Sequence, residues 1–228
     1  MFYGIDPTYI LVIAGALLCL LAQNNVTSTY SRYSRVQSRT GITGAMAAER
    51  ILRANGIYDV RVEHIQGNLT DHYDPSAKVL RLSDTVYGST SVAAIGVAAH
   101  ECGHAIQHQT GYVPLKIRGS LVPVANLGSR LCWPLIVLGL FFSYTFVQAG
   151  IIMFCAVVLF QLVTLPVEFN ASSRALQILG DSGMLYQDEI SSTKKVLGAA
   201  TLTYVASVAS SVLQLLRLIL LFGNRRDD

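Results

Sequence analysis

His100-Glu101-Cys102-Gly103-His104 is the stretch of this 228-residue chain whose residue types and spacing specify a reaction. On a helix, side chains four apart stack on one face, so both imidazoles can reach a single ion. Glu101 lies one residue round the helix, beside that ion rather than on it. A carboxylate there can hold a water molecule and take its proton. With five His and five Glu in 228 residues, chance supplies such a match in about 0.2% of chains. The neighbours Val97, Ala98, Ala99, Cys102, Gly103, Ala105 and Ile106 are uncharged, as a buried helix requires. The expected chemistry is hydrolysis by zinc-activated water, with His100 and His104 as ligands and Glu101 as general base.

A catalytic zinc keeps three protein ligands and one open position, so a third ligand is needed. His108 would lie ~12 Å of helix rise beyond His100 and about 80° away from it, which bars it from joining both imidazoles. The metzincin spacing also fails, because Gln107 and Thr110 stand where that pattern needs Gly and His. Glu168 is the better choice. It is the first charge after the 37 uncharged residues 131–167, just past Pro166 and at the start of an expected helix. A lone carboxylate at that depth is costly unless paired or metal-bound, and capping a helix N-terminus is its alternative use. Arg174 can orient Glu168, stabilise an oxyanion or pair at the surface, and His108 can serve beside the site. His64, His72 and Tyr73 are lesser candidates to donate to an oxyanion.

These residues sit in a strongly apolar chain. Hydrophobic residues make up 52%, charged residues only 14%, and the mean hydropathy is +0.45. Soluble chains carry about 25% charge, so disorder and a basic nucleic-acid-binding domain are excluded, and the net charge of +3 implies no polyanionic partner. Charge is absent from Pro7 to Ser31 and from Val196 to Leu216, and from Gly119 to Val167 only Arg130 carries one. Two polar blocks lie between, with 17 charged groups in residues 32–118 and seven in 168–195. The four cysteines include no CxxC pair, so neither a disulfide framework nor a thiolate zinc site is expected.

About four spans follow. The first centres on Tyr9–Ala22 and reaches full length by extension to Phe2–Pro7 and Val26. It lacks the basic n-region of a cleaved signal peptide, so an uncleaved anchor is expected. Helices near 124–144 and 150–167 flank a hairpin turn at Ser143–Gly150, with Arg130 snorkelling to the interface, and a last span covers roughly 196–217. Within the long polar block, residues 41–56 form an amphipathic helix with Met46, Ile51 and Leu52 near one face and Gly56 as its stop. Val60–Ile65 and Lys78–Ser83 alternate as strands around a turn containing Asp74-Pro75, and Ser89–Gln109 is helical. The regions are therefore an anchor (1–26), a catalytic region (27–118), a transmembrane hairpin (119–167), a third-ligand helix and loop (168–195), and a last span with its tail (196–228).

Arg32, Arg35, Arg39, Lys116, Arg118, Lys194 and Lys195 lie on the side that carries both polar blocks, and the loop 143–150 has no cation. The positive-inside rule puts the polar blocks in the cytoplasm, although Arg225-Arg226 counts the other way. A transporter would carry ionisable or Gly/Pro-broken features midway through several spans, which are lacking here apart from Pro134. A catalytically silent scaffold stabilised by zinc is the remaining alternative, and it has no need of Glu101.

HECGHAIQH (100–108), with DHYDPSAKVLRLSD (71–84) before it and LPVEFNASSRAL (165–176) after it, resembles the bacterial membrane neutral zinc metallopeptidases. The resemblance extends over nearly the whole chain. More remotely the chain is similar to the gluzincin membrane proteases of the heat-shock and CAAX-processing types, whose third-ligand motif is Glu-x-x-Ala-Asp. Glu168 and Ala171 match it, and Ser172 stands where those relatives carry Asp. The resemblance implies Zn2+ held by His100, His104 and Glu168, with Glu101 as general base. It implies a mainly α membrane protein: about four transmembrane helices with a cytoplasmic zincin-like α+β catalytic unit, a short β-hairpin or sheet beside the HExxH helix. Its place is the bacterial plasma membrane, with the lipid bilayer as partner, protein or peptide substrates drawn from membrane proteins, and no nucleic acid. Lys78–Ser83 takes the position of the edge strand along which zincin proteases pair an extended substrate.

Overall fold

The computed structural model describes residues 6–223. In chain order its elements are α1 (Tyr9–Tyr33), α2 (Gly44–Ala54), β1 (Arg61–Ile65), β2 (His72–Asp74), β3 (Val79–Ser83), α3 (Val92–Gln109), α4 (Val113–Phe141), α5 (Tyr144–Asp181) and α6 (Gln187–Phe222). The protein is mainly helical, with one small three-stranded sheet. Four helices, α1, α4, α5 and α6, are long and apolar enough to cross a membrane. Phe2–Ile5, which would extend the first span, and the Arg225-Arg226 pair lie outside the described residues.

Two compact units form. One comprises Met1–Gln23, Lys116–Leu165 and Thr203–Asp228, and the other Asn24–Leu115 and Pro166–Leu202. The first is a bundle of the apolar parts of the four long helices. Cys132, Ile136, Phe154, Val158 and Leu218 form its buried cluster. Arg217 is held in it by the Tyr9 ring, 4.3 Å from the guanidinium, and by Asp6 Oδ2 at 4.0 Å. A cation inside an apolar helix needs such partners.

The second unit has its own core, in which Ile51, Leu80, Leu82 and Ile95 are fully buried. Thr43 caps α2 by accepting a hydrogen bond from Met46 N at 3.2 Å, and Gly56 ends the segment at φ +72°. Ala45, Ala48, Ile51 and Leu52 form the buried face of α2. Met46 does not share it and is 43% exposed, because five residues separate it from Ile51, a rotation of about 140°.

β3 is the central strand, parallel to β1 and antiparallel to β2. Lys78–Ser83 was expected at an edge. The strand that displaces it is β2, formed from the stretch that reads as turn chemistry. Three residues cannot display alternation, and β2 exists because Asp74 Oδ1 accepts from Ser76 N and Ala77 N at 2.9 and 3.0 Å, folding the chain back onto β3.

The long helices exceed their expected bounds. The α4–α5 turn occupies only Phe142 and Ser143, so residues 144–150 are helical rather than hairpin. α5 then runs 38 residues without a break and carries Pro166 inside it. Glu168 accordingly lies within a helix and not at an N-terminus, which removes capping as its role. Proline is tolerated inside long apolar helices where neighbours satisfy the freed backbone groups.

α3 is the hub of the second unit. Ser91 caps it, accepting from Ala94 N at 3.2 Å, and it is buried nearly all round, as its run of uncharged small residues requires. α6 packs so closely on it that a Cβ at Gly96 would sit 2.5 Å from Thr193 Cγ2. Thr193 Oγ1 also donates to Val92 O at 3.2 Å. Gly96→Val is therefore expected to destabilise the protein by about 1–3 kcal/mol through overpacking. The check is melting temperature in detergent micelles. Thr193→Ser, which removes the obstructing methyl, should recover part of the loss, and an unchanged melting temperature in the valine variant would contradict this packing.

Candidate metal centre

One turn of α3 separates His100 from His104, and their rings meet edge to face with centroids 4.8 Å apart. Glu168 arrives from α5. Its Oε2 lies 3.3 Å from His100 Nε2 and 3.6 Å from His104 Nε2, and one donor atom from each residue falls within a 4.8 Å group. The approach depends on a close helix crossing. A Cβ at Gly103 would stand 2.7 Å from Ala171 O and 3.1 Å from Ala171 Cα, so only glycine lets α5 come near enough.

These distances suit a tetrahedral ion. Ligands at about 2.0–2.2 Å from zinc are separated by tetrahedral edges of about 3.3–3.6 Å. Glu168 is 2% exposed, and its Oε2 is buried without an aligned hydrogen-bond partner. A buried carboxylate oxygen left this way is costly, and a cation is the missing partner. Glu101, 8% exposed, adds a second buried carboxylate. The negative field of the two carboxylates favours a divalent cation at this point. The same field acts on His104. Burial works to lower its pKa, but the adjoining Glu168 and the charge of Glu101 outweigh that and hold it above the ordinary imidazole value.

The ring nitrogens turned away from this centre are also engaged. His100 Nδ1 lies 3.0 Å from Ser172 Oγ, and His104 Nδ1 lies 3.0 Å from Gln107 Oε1. Ser172, one turn after Glu168 on α5, thus supports His100. Sequence reasoning found no role for either residue. The available signal was their spacing, Ser172 one turn after Glu168 and Gln107 one turn after His104.

Glu101 points towards the sheet, where Tyr73 N donates to its Oε2 at 3.0 Å. β2 therefore borders the centre through its unpaired edge. Tyr73 Oη pairs with His108 Nδ1 at 2.9 Å, so His108 faces this strand and not the donor cluster. Arg174 Nε donates to Asn170 Oδ1 at 2.8 Å. His64 is paired with Asp84, while His72 contacts Thr70 O and Arg81. Cys102 turns the other way, its Sγ 3.6 Å from Ala48 O on α2. Burial pushes its thiol well above the usual range, as befits a structural residue.

Four apolar helices and a buried His–His–Glu group, two donors from α3 and one from α5, define an integral membrane protein with a site that can hold a metal ion. The family model described as "Putative neutral zinc metallopeptidase" matches residues 8–223, and the chain belongs to that family. It is 50% identical over 220 residues to "Putative membrane protease YugP" of Bacillus subtilis (strain 168), covering 96% of this chain and 97% of that relative. No solved structure matches the chain. The metal that goes with this family is zinc, and the His100–His104–Glu168 group can hold it.

Gly103→Ala tests the crossing. A methyl against the Ala171 backbone should push α5 away and separate Glu168 from the imidazoles. Zinc affinity, measured by competition with a chromophoric chelator, is expected to fall by about 10–100-fold, comparable to losing an outer partner of a ligand. Wild-type affinity in this variant would show that the close approach is not needed.

Proposed function

We propose that the protein is a membrane-bound zinc metalloendopeptidase that hydrolyses peptide bonds at the cytoplasmic face of the membrane. The observation that carries this reading is the convergence of His100, His104 and Glu168 in a buried group with Glu101 alongside. The gluzincin-type ligand set and the neighbouring sheet make the second unit a zincin-like catalytic unit.

When bound, zinc supplies Lewis acidity, which polarises a peptide carbonyl and brings the acidity of water into the neutral range. The chain's own residues do the rest. Glu101 takes a proton from the attacking water and delivers it to the amide nitrogen as the carbon–nitrogen bond breaks. Atoms and charges balance with one water consumed, a carboxyl terminus and an amine released, and Glu101 restored. The Tyr73 amide holds the Glu101 carboxylate beside the donor cluster before substrate arrives. The outer edge of β2, apart from the Tyr73 amide that Glu101 occupies, can offer main-chain groups to an extended substrate. His108 and Tyr73 pair beside this strand, and Arg174 lies on the ligand-bearing segment of α5, where it pairs with Asn170.

Orientation is read from charge. Arg32, Arg35, Arg39, Lys194 and Lys195 belong to the unit that holds the site, and cations collect on the cytoplasmic side. Glu168 directly follows the uncharged run 131–167. Substrates are therefore membrane proteins, their juxtamembrane segments or peptides lying on the bilayer.

Glu101→Gln separates hydrolysis from metal binding. In detergent or liposomes, cleavage of casein or a membrane-protein substrate is expected to fall by at least about 10²-fold, the lower end of a general base's contribution. Bound zinc should stay near one equivalent. Chelation should abolish cleavage in the wild type, and added zinc should restore it. Undiminished turnover by the glutamine variant would sink the mechanism, and metal-independent cleavage would sink the whole reading.

A further inference from the structure

Gln107 is fully buried, and both protons of its side-chain amide are spoken for. Nε2 lies 2.8 Å from Val167 O and 3.0 Å from Asn170 Oδ1. A main-chain carbonyl can only accept, so the atom facing it is the amide nitrogen. The second contact agrees. Asn170 Oδ1 also faces Arg174 Nε at 2.8 Å, and an arginine can only donate, so that atom of Asn170 is its oxygen. The orientation of Gln107 is thereby fixed from both ends, and its Oε1 is the atom left to face His104 Nδ1 at 3.0 Å.

An amide oxygen can only accept. His104 must then carry its proton on Nδ1, which leaves the Nε2 lone pair directed to the donor group shared with Glu168. A free neutral histidine favours the opposite tautomer, with its proton on Nε2, so the observed arrangement has to be imposed. His100 receives no such instruction, because a serine hydroxyl either donates or accepts.

We propose that Gln107 is the positioning residue of the metal centre: it fixes His104 in the metal-binding tautomer while pinning the carbonyl of Val167, the residue that precedes Glu168. One side chain thus sets two of the three donors, one through a ring proton and the other through the backbone of α5. The role rests on the zinc reading above and extends it to a residue outside the HExxH motif. Gln107 touches neither substrate nor metal and acts through the ligands alone.

The test uses the full-length protein in detergent, metal-free, with 15N-labelled histidine, at a pH where the ring is neutral. The His104 signals of the wild type should report Nδ1–H, an outcome that requires no variant to fold. In Gln107→Leu, Asn170 keeps Arg174, while the His104 Nδ1 proton and Val167 O both lose their Gln107 partner. The Nε2–H form should then appear, and zinc affinity should drop about 10–100-fold, as for loss of other groups that orient metal-bound histidines. Gln107→Glu retains an oxygen for His104 but sets oxygen against Val167 O and Asn170 Oδ1. It should keep the Nδ1–H tautomer and recover part of the affinity. Nε2–H on His104 in the wild type, or wild-type affinity in Gln107→Leu, overturns the role of Gln107 alone. A wild-type protein whose zinc affinity is indifferent to His104→Ala overturns the metal reading as well.

Discussion

A carboxylate buried between helices is the constraint around which the second unit is arranged. Glu168 loses almost all contact with water, and the desolvation of an ionised group in such a place amounts to several kcal/mol unless charge and hydrogen bonds return it. A divalent cation held jointly with the two imidazoles can return it. The close approach of α3 and α5, the small residues at their crossing and the uncharged surface of α3 all follow from bringing one acid and two rings to a common point. The protein tolerates an unfavourable local arrangement because the ion makes it favourable, and this links metal binding to the integrity of the helix packing.

The surrounding groups do separate jobs. Gly103 and Ala171 set the distance between the helices, while Ser172 and Gln107 hold the imidazoles from behind. The sheet contributes a main-chain amide rather than a side chain. Tyr73 N fixes Glu101 whatever residue stands at position 73, provided that it is not proline. Because β2 is anchored by the Asp74 turn and by pairing with β3, the placement of Glu101 depends on turn chemistry remote from the motif itself.

Much of this was legible in the residues. The two histidines, Glu101 and the four apolar helices follow from periodicity and charge, and Glu168 stood out as the first charge after a long neutral run. Other features were not legible, for physical reasons. β2 is too short to carry a pattern and is formed by its partner. Lys78–Ser83 alternates like an edge strand, yet a third strand made it central. Pro166 reads as a helix boundary, but it is accommodated inside α5. Met46 was placed on the core face of α2 by its apolarity, although its angular position puts it outside. Ser172 and Gln107 lie one turn from Glu168 and His104, but the contact of Ser172 with His100, 72 residues away, is made only by the fold.

The continuity of α5 has a further consequence. Glu168 and Ala171, the residue that meets Gly103, lie on one continuous helix, with no loop between them to absorb a change in length. Adding or deleting a single residue between Glu168 and Ala171 would swing the carboxylate by about 100° relative to the crossing with α3. Between these two residues the geometry admits substitution but neither insertion nor deletion. A difference in helix phase between two homologues would signal that they no longer share a metal centre.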